Sequence, residues 1–226
     1  MILLYDLAAA DGRRFSPNCW RTRMALAHKG LSYETRATRF TDIAAIDGGK
    51  QKTVPVIHDG EHVIGDSHAI ADYLERMYPE RPSLFGGASG QALTEFMRNW
   101  AISTLHVGLF DMIVLDIHDA LDSADQVYFR ESREKRLGKS LEAAQAGREA
   151  RLPAFRKSLA PLRGMLAEQP WIGGAAPLYA DYLVSGPLQW ARVISDFQVL
   201  ADDDPVAHWF EHCLDLHDGL GRKIYG

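Results

Sequence analysis

Three short stretches carry residues suited to holding and activating a small anionic ligand. The first is FSPNCWRTRMALAHKG, Phe15 to Gly30. Ser16 stands at the N-cap of an expected helix, Pro17 follows at the first helical position, and Gly30 closes the run. A capping hydroxyl accepts a backbone N–H and keeps its own proton to donate. The second stretch is Val54-Pro55, at the entry to an expected strand. Proline at that position is restricted, and an X-Pro bond is where cis geometry occurs. The third is Asp66-Ser67, an acid and a hydroxyl opening another helix. Each alone reads as capping or as an edge-strand proline. On one edge of a sheet they supply two helix N-termini and a strand with free backbone groups. Such an edge suits an extended, peptide-like anion.

Other motifs fall short of known chemistry. GGKQKT, from Gly48, has Ala44 where a phosphate loop needs its first glycine and Gln51 where it needs Ser or Thr. His58 and His62 flank a hairpin turn, and two histidines alone make a poor metal site. DIHDALDSAD, from Asp116, lacks the spacing and glycine of a calcium loop and reads as a solvated helix end. No metal is expected.

The elements that must position these residues follow from periodicity and turn signals. ILLYDL from Ile2 is strand-like, Pro17 to Lys29 is helical, and YETRAT from Tyr33 is a second strand. That βαβ spacing calls for a parallel pair. A short helix over Asp42 to Asp47 ends at Gly48 and Gly49. VPVIHDGEHVIG is a hairpin turning at Asp59-Gly60, and a helix starts at Ser67. PERPSLFGGASG then reads as a surface linker. Beyond it only helices are expected: Gln91 to His118, Tyr128 to Leu152, Pro153 to Glu168, Leu178 to Val193 and Asp204 to Leu216. Pro153 and Pro161 should start, kink or divide theirs. The chain is a small α/β domain, residues 1–79, followed by an all-α domain, residues 91–226.

Composition narrows the class. The 226 residues are 46% hydrophobic and 24% charged, with a net charge of −5. That balance suits a globular protein with a sizeable core and offers nucleic acid no basic patch. Cys19 and Cys213 form no disulfide framework, in keeping with a reducing compartment. The N-terminal apolar run is interrupted by Asp6 and has no basic flank, so a strand is expected rather than a signal peptide. No apolar run reaches the ~18 residues of a membrane span. A cytoplasmic protein is expected.

The whole arrangement resembles the glutathione transferases, which join a thioredoxin-like domain to a helical one. The resemblance is carried by SPNCWRTRMALAHKG, by TVPVIHDGEHVIGDSHAIADYLE (Thr53 to Glu75), by WIGG from Trp171 and by YADY from Tyr179. A narrower likeness is to the etherase-type branch, which includes bacterial β-aryl ether-cleaving transferases and fungal etherase-type transferases. It rests on SPNCWRTRMALAHKGL from Ser16, YPERPSLFGG, the SRE from Ser132, AGREARLP from Ala146 and LHDGLGR from Leu216. The resemblance implies glutathione as co-substrate and Ser16 as the catalytic hydroxyl that hydrogen-bonds its sulfur. It further implies that Val54 pairs with the cysteinyl backbone, that Pro55 is a cis-proline, and that Asp66 and Ser67 hold the γ-glutamyl end. Lys52 or Arg39 is expected at the glycyl carboxylate. Also implied are a homodimer and a small aromatic electrophile bound between the domains, near Phe110, Met112 and Ile113, with Trp100 and Trp190 available for stacking.

One position departs from the family pattern. If its buried helix-capping Asp is Asp181, the partner cap position holds Leu178, which cannot accept a hydrogen bond. Two alternatives stand beside the transferase reading. One is a thiol-disulfide oxidoreductase using Cys19, although Ser16 occupies the place of the attacking cysteine. The other is a non-catalytic ligand-binding protein.

Overall fold

The computed structural model describes residues 1–225. Strand β1 (Ile2–Leu7) alternates, with Ile2 and Leu4 in the core. Helix α1 (Pro17–His28) starts on the Ser16 cap, and Gly30, at φ 63°, ends it with bonds from its own N–H and that of Leu31 back to Ala27 and Leu26. β2 (Tyr33–Thr38) pairs parallel to β1, as the crossover requires. A 3₁₀ stretch (Phe40–Gly49) leads to the antiparallel hairpin of β3 (Val56–Asp59) and β4 (His62–Gly65), and α2 (Ser67–Met77) follows. The sheet order is β2-β1-β3-β4. This is a thioredoxin-like sheet domain ahead of a helical one. In the hairpin register His58 faces Val63 and Asp59 faces His62, so the two histidines do not sit opposite each other.

The rest is helical: α3 (Ala88–Trp100), α4 (Val107–Ala120), α5 (Ser123–Leu137), α6 (Leu141–Gln145), α7 (Arg148–Ser158), α8 (Ala160–Glu168), α9 (Tyr179–Ile194) and α10 (Pro205–Gly219). The expected helix from Tyr128 to Leu152 is in fact three pieces. Gly138 and Gly147 adopt left-handed backbone at φ 67° and 66°, and Ser140 caps the short α6 between them. Pro153 lies inside α7 rather than opening a helix, and Pro161 takes the first turn of α8. The acidic segment from Asp116 is not simply solvated. Asp116 accepts from Gln145 (2.8 Å) and Arg148 (2.7 Å), tying α4 to α6 and α7, while Asp125 is buried.

A π-helical turn, Ala101–His106, joins α3 to α4 without a break. The resulting helix, Ala88–Ala120, has 33 residues and is long and apolar enough to cross a membrane. That corrects the expectation of no such run. Here its buried face, including Ala101, Leu105, Leu109 and Ile113, forms part of the helical core.

α9 is buried on every side except at Arg192. Tyr179, Tyr182 and Leu183 complete the core beneath the sheet, while Val184, Leu188 and Trp190 belong to the helical core. Gly186 allows α9 to approach α1 closely, because a Cβ there would lie 2.6 Å from the Pro17 carbonyl oxygen. Pro187 has no N–H for the Leu183 carbonyl one turn earlier, and Arg21 of α1 donates to that oxygen instead at 3.2 Å. The two halves are thus locked at the start of α1.

Candidate active site

That locked helix start opens into a cleft of about 330 Å³ between the sheet domain and the helices, the size of a small-molecule site. Ser16 lines it, with the extended backbone of an N-cap and its Oγ accepting from Cys19 N–H at 3.3 Å. Asn18 lines it too, and its Oδ1 accepts from Arg21 Nη1 at 2.7 Å. Arg21 therefore carries the α9 contact through to the cleft. A second hollow, about 440 Å³ near the C-terminal end of α9, gathers none of the expected site residues.

Of the other expected residues, Lys52 and Val54 reach the cleft, whereas Pro55, Asp66 and Ser67 lie outside its lining. The Val54 N–H and C=O find no hydrogen-bond partner among the described residues. The Val54–Pro55 peptide is cis. Pro55 itself lies outside the cleft lining, and its carbonyl accepts from Asp66 N–H at 3.3 Å, which brings the start of α2 beside it. Asp66 holds φ 72°, ψ 127°, a region costing an L residue of order 1–3 kcal/mol. Its carboxylate caps α2 by accepting from His68 N–H (2.9 Å) and Ala69 N–H (3.1 Å). Ser67 is buried, and its carbonyl accepts from the Tyr179 hydroxyl at 2.8 Å. Arg39 does not reach the cleft. It is drawn to Asp42 (2.8 Å) and Asp122 (3.7 Å), leaving Lys52 as the cation on this edge.

Cys19 is fully buried, and burial first, then the nearby Asp6 carboxylate, pushes its thiol well above the usual range. That is the opposite of an attacking thiolate.

The opposite wall is aromatic and basic. Phe110 and Trp190 line the cleft, but Met112 and Ile113 are core residues and Trp100 faces a separate apolar groove. Residues not expected from the sequence complete the wall: Phe40, His106, Tyr128, Phe129, Arg133 and Arg136. Asp125 fixes Phe40, accepting from the N–H groups of Phe40 (2.7 Å) and Thr41 (2.9 Å). His106 sits in the π-helical turn with its ring 4.7 Å from that of Trp190. Burial, aided by Arg21 and Arg136, pushes its pKa down to about 4. Phe129, Arg133 and Arg136 share one face of α5 by their spacing, but that spacing does not say what the face meets. Nothing in the sequence marked His106, because a π turn shifts the register of the helix.

Models of two domains cover most of the chain: the glutathione S-transferase N-terminal domain over residues 12–82 and the C-terminal domain over residues 92–216. The chain belongs to the glutathione S-transferase family. Its fold is similar to that of a glutathione transferase from Phanerochaete chrysosporium, at 29% identity and a TM-score of 0.77, covering 99% of this chain and 94% of the other. A glutathione S-transferase of Ceriporiopsis subvermispora, solved in complex with glutathione, matches at 25% identity and a TM-score of 0.76, over 99% and 96% of the two chains. Among curated relatives, a maleylacetoacetate isomerase of Dictyostelium discoideum is 35% identical over 89 residues, 34% of this chain. That alignment takes in 39% of the isomerase, so less than half of the relative is matched.

In the helical domain of this chain Asp181 is fully buried. It accepts from the backbone N–H groups of Ile172 (2.8 Å), Gly173 (3.0 Å) and Leu178 (2.9 Å) and from Trp209 Nε1 (3.2 Å). Leu178 supplies no cap acceptor. Its side chain instead packs near Gly86 and Gly173.

Proposed function

We propose that the protein is a glutathione transferase that delivers the tripeptide's sulfur to an apolar aromatic electrophile. The observation that carries this reading is Ser16, at the positive end of α1, inside a cleft walled by both domains. Glutathione is the co-substrate. Its sulfur lies at the Ser16 hydroxyl, its cysteinyl backbone pairs with Val54 beside Pro55, its γ-glutamyl end meets Asp66 and Ser67, and Lys52 faces the glycyl carboxylate. The hydroxyl proton and the helix terminus both favour thiolate over thiol. The thiol proton leaves to solvent. The thiolate then forms a C–S bond to the electrophilic carbon, and the leaving group departs with its bonding pair.

The etherase-type likeness extends the proposal to aryl ethers next to a ketone. There the C–O bond breaks and a phenolate leaves, with a pKa near ~10, so no strong general acid is needed. Neutral His106, tilted against the Trp190 ring, supports a wall built for aromatic rings. A homodimer and a cytoplasmic location belong to the same reading. The exposed Leu93, Phe96 and Val107 support the first, and the free thiols of Cys19 and Cys213 support the second.

The test is turnover with glutathione and two electrophiles, 1-chloro-2,4-dinitrobenzene and a β-aryl ether ketone. Conjugation of the first is expected, and phenol release from the second identifies ether cleavage. Conjugation without phenol release removes the ether reading alone. Glutathione binding without any turnover leaves a binding protein. Cys19→Ala should keep most of the turnover, whereas a thousandfold loss in a folded variant would restore the oxidoreductase reading.

A further inference from the structure

The basic wall of the cleft has no acid to match it. Arg133 and Arg136 lie one turn apart on α5 and both line the cleft. Among the described residues neither guanidinium has a carboxylate within 4.0 Å, while Arg130 on the same helix is paired with Glu134 and Glu142. Among the described residues no Asp or Glu lines the cleft, yet Lys52, Arg133 and Arg136 all do. This is a local reversal in a chain of net charge −5.

Each arginine lies over an aromatic ring, Arg133 half-buried and Arg136 exposed at the mouth of the cleft. Arg133 Cζ stands 4.7 Å from the Phe129 ring centre and 5.3 Å from that of Phe40. Arg136 Cζ stands 4.7 Å from that of Phe110. Of the five donors of Arg133, one is used on Ser132 Oγ at 2.9 Å and another is turned toward the Tyr128 hydroxyl, which leaves others for a ligand. A guanidinium stacked on an aromatic face keeps its N–H edge available for a planar anion. Holding two like charges close together in a partly desolvated cleft is unfavourable, and a bound anion relieves it. Burial and the neighbouring Arg136 both lower the pKa of Arg133, in line with that cost.

We propose that the second substrate is an aromatic molecule bearing an anionic group, a carboxylate or its equivalent, which Arg133 and Arg136 hold while its ring packs among Phe40, Phe110 and Trp190. This rests on the transferase reading for the identity of the reaction, but the recognition can be measured without turnover. Carboxylate is also present in glutathione, so the test separates the two sources. The protein is saturated with S-methylglutathione, and binding of naphthalene-2-carboxylate and its neutral isostere naphthalene-2-carboxamide is followed by calorimetry. The wild type should bind the acid at least tenfold more tightly, with a preference that shrinks in high salt. In R133Q/R136Q that preference should vanish through a loss of acid affinity of tenfold or more. R133K/R136K should recover part of it. S-methylglutathione affinity should stay within twofold in every variant.

Equal binding of acid and amide by the wild type would overturn the proposal. So would a fall in S-methylglutathione affinity with acid binding intact, which would assign the arginines to the tripeptide. Turnover of 4-chloro-3,5-dinitrobenzoate against 1-chloro-2,4-dinitrobenzene gives the catalytic counterpart. A retained acid preference with no turnover of either compound would sink the transferase reading and leave the recognition site standing.

Discussion

At the scale of single residues, Ser16 has two duties that draw on different parts of one hydroxyl. Its oxygen caps α1 by accepting from Cys19 N–H, and on the proposed transferase reading its proton is donated to the sulfur of bound glutathione. Bound glutathione should therefore titrate below the free thiol's ~8.5. Ultraviolet absorbance of the bound thiolate against pH measures this, and an unshifted titration would rule out the mechanism. Ser16→Ala should lower turnover at neutral pH about 10- to 100-fold, the worth of a hydrogen bond to a charged group. It should also cost ~1 kcal/mol of stability through the lost cap. His106 offers a second test. Its folded pKa of about 4 lies below the unfolded value of ~6.5, so folding favours the neutral ring. Its contribution to stability is present above pH 6.5 and disappears as the pH falls toward 4, amounting to up to ~3 kcal/mol. Nuclear magnetic resonance of the ring nitrogens should show a midpoint near 4. His106→Gln should flatten the decline of Tm between pH 6.5 and 4.5, and an unchanged decline would assign the acid sensitivity elsewhere.

Between the elements, the contact of α1 with α9 decides where Ser16 stands. Gly186 permits the approach, and the carbonyl that Pro187 frees receives Arg21, which in turn holds Asn18 at the cleft. Gly186→Ala should push the start of α1 away from α9. A destabilisation of ~1–3 kcal/mol is expected from the added bulk, together with a loss of glutathione affinity. Calorimetry and thermal melts read the two effects separately, and wild-type affinity in a destabilised variant would show that α1 does not move. The acid at the start of α9 acts on a different set of donors. Asp181 satisfies four N–H groups drawn from the segment before α9, from the helix start and from Trp209 of α10. Burial raises its pKa, and the hydrogen bonds from Leu178, Ile172 and Gly173 oppose that rise. Asp181→Ala would strand those donors and should cost at least ~3 kcal/mol, read as a lower denaturation midpoint. A cost below ~1 kcal/mol would mean that water replaces the carboxylate. Leu178 explains why the missing cap is tolerated: the Asp181 carboxylate takes its N–H, and its side chain packs against glycines.

Across the whole molecule, the cleft exists only because a sheet domain and a helical domain share α9 as a common core element. The pattern along the chain was sufficient for the sheet elements, the βαβ crossover, the Asp59-Gly60 hairpin and the succession of helices. Those features depend on local periodicity, capping and turn chemistry, which adjacent residues specify. The positions of Ser16, Val54 and Asp66 were readable for the same reason, since each begins or precedes an element. The helix boundaries around Gly138 and Gly147 were harder to read, because a run of good helix formers does not reveal where a left-handed residue interrupts it. Asp116 looked solvated because its partners, Gln145 and Arg148, come from later helices. The far wall of the cleft was decided by the tertiary structure alone. Phe40 follows a strand, His106 sits in a π turn, and Arg133 and Arg136 lie on α5, so their meeting depends on how whole elements pack. The sequence by itself determined the architecture and the edge suited to glutathione. Packing decided that Cys19 is sealed in the core, that Arg39 turns to Asp42 and Asp122, and that two arginines with no carboxylate partner among the described residues line the cleft. The physical reason is that burial and charge pairing belong to neighbours in space, and those neighbours are fixed only when the elements come together.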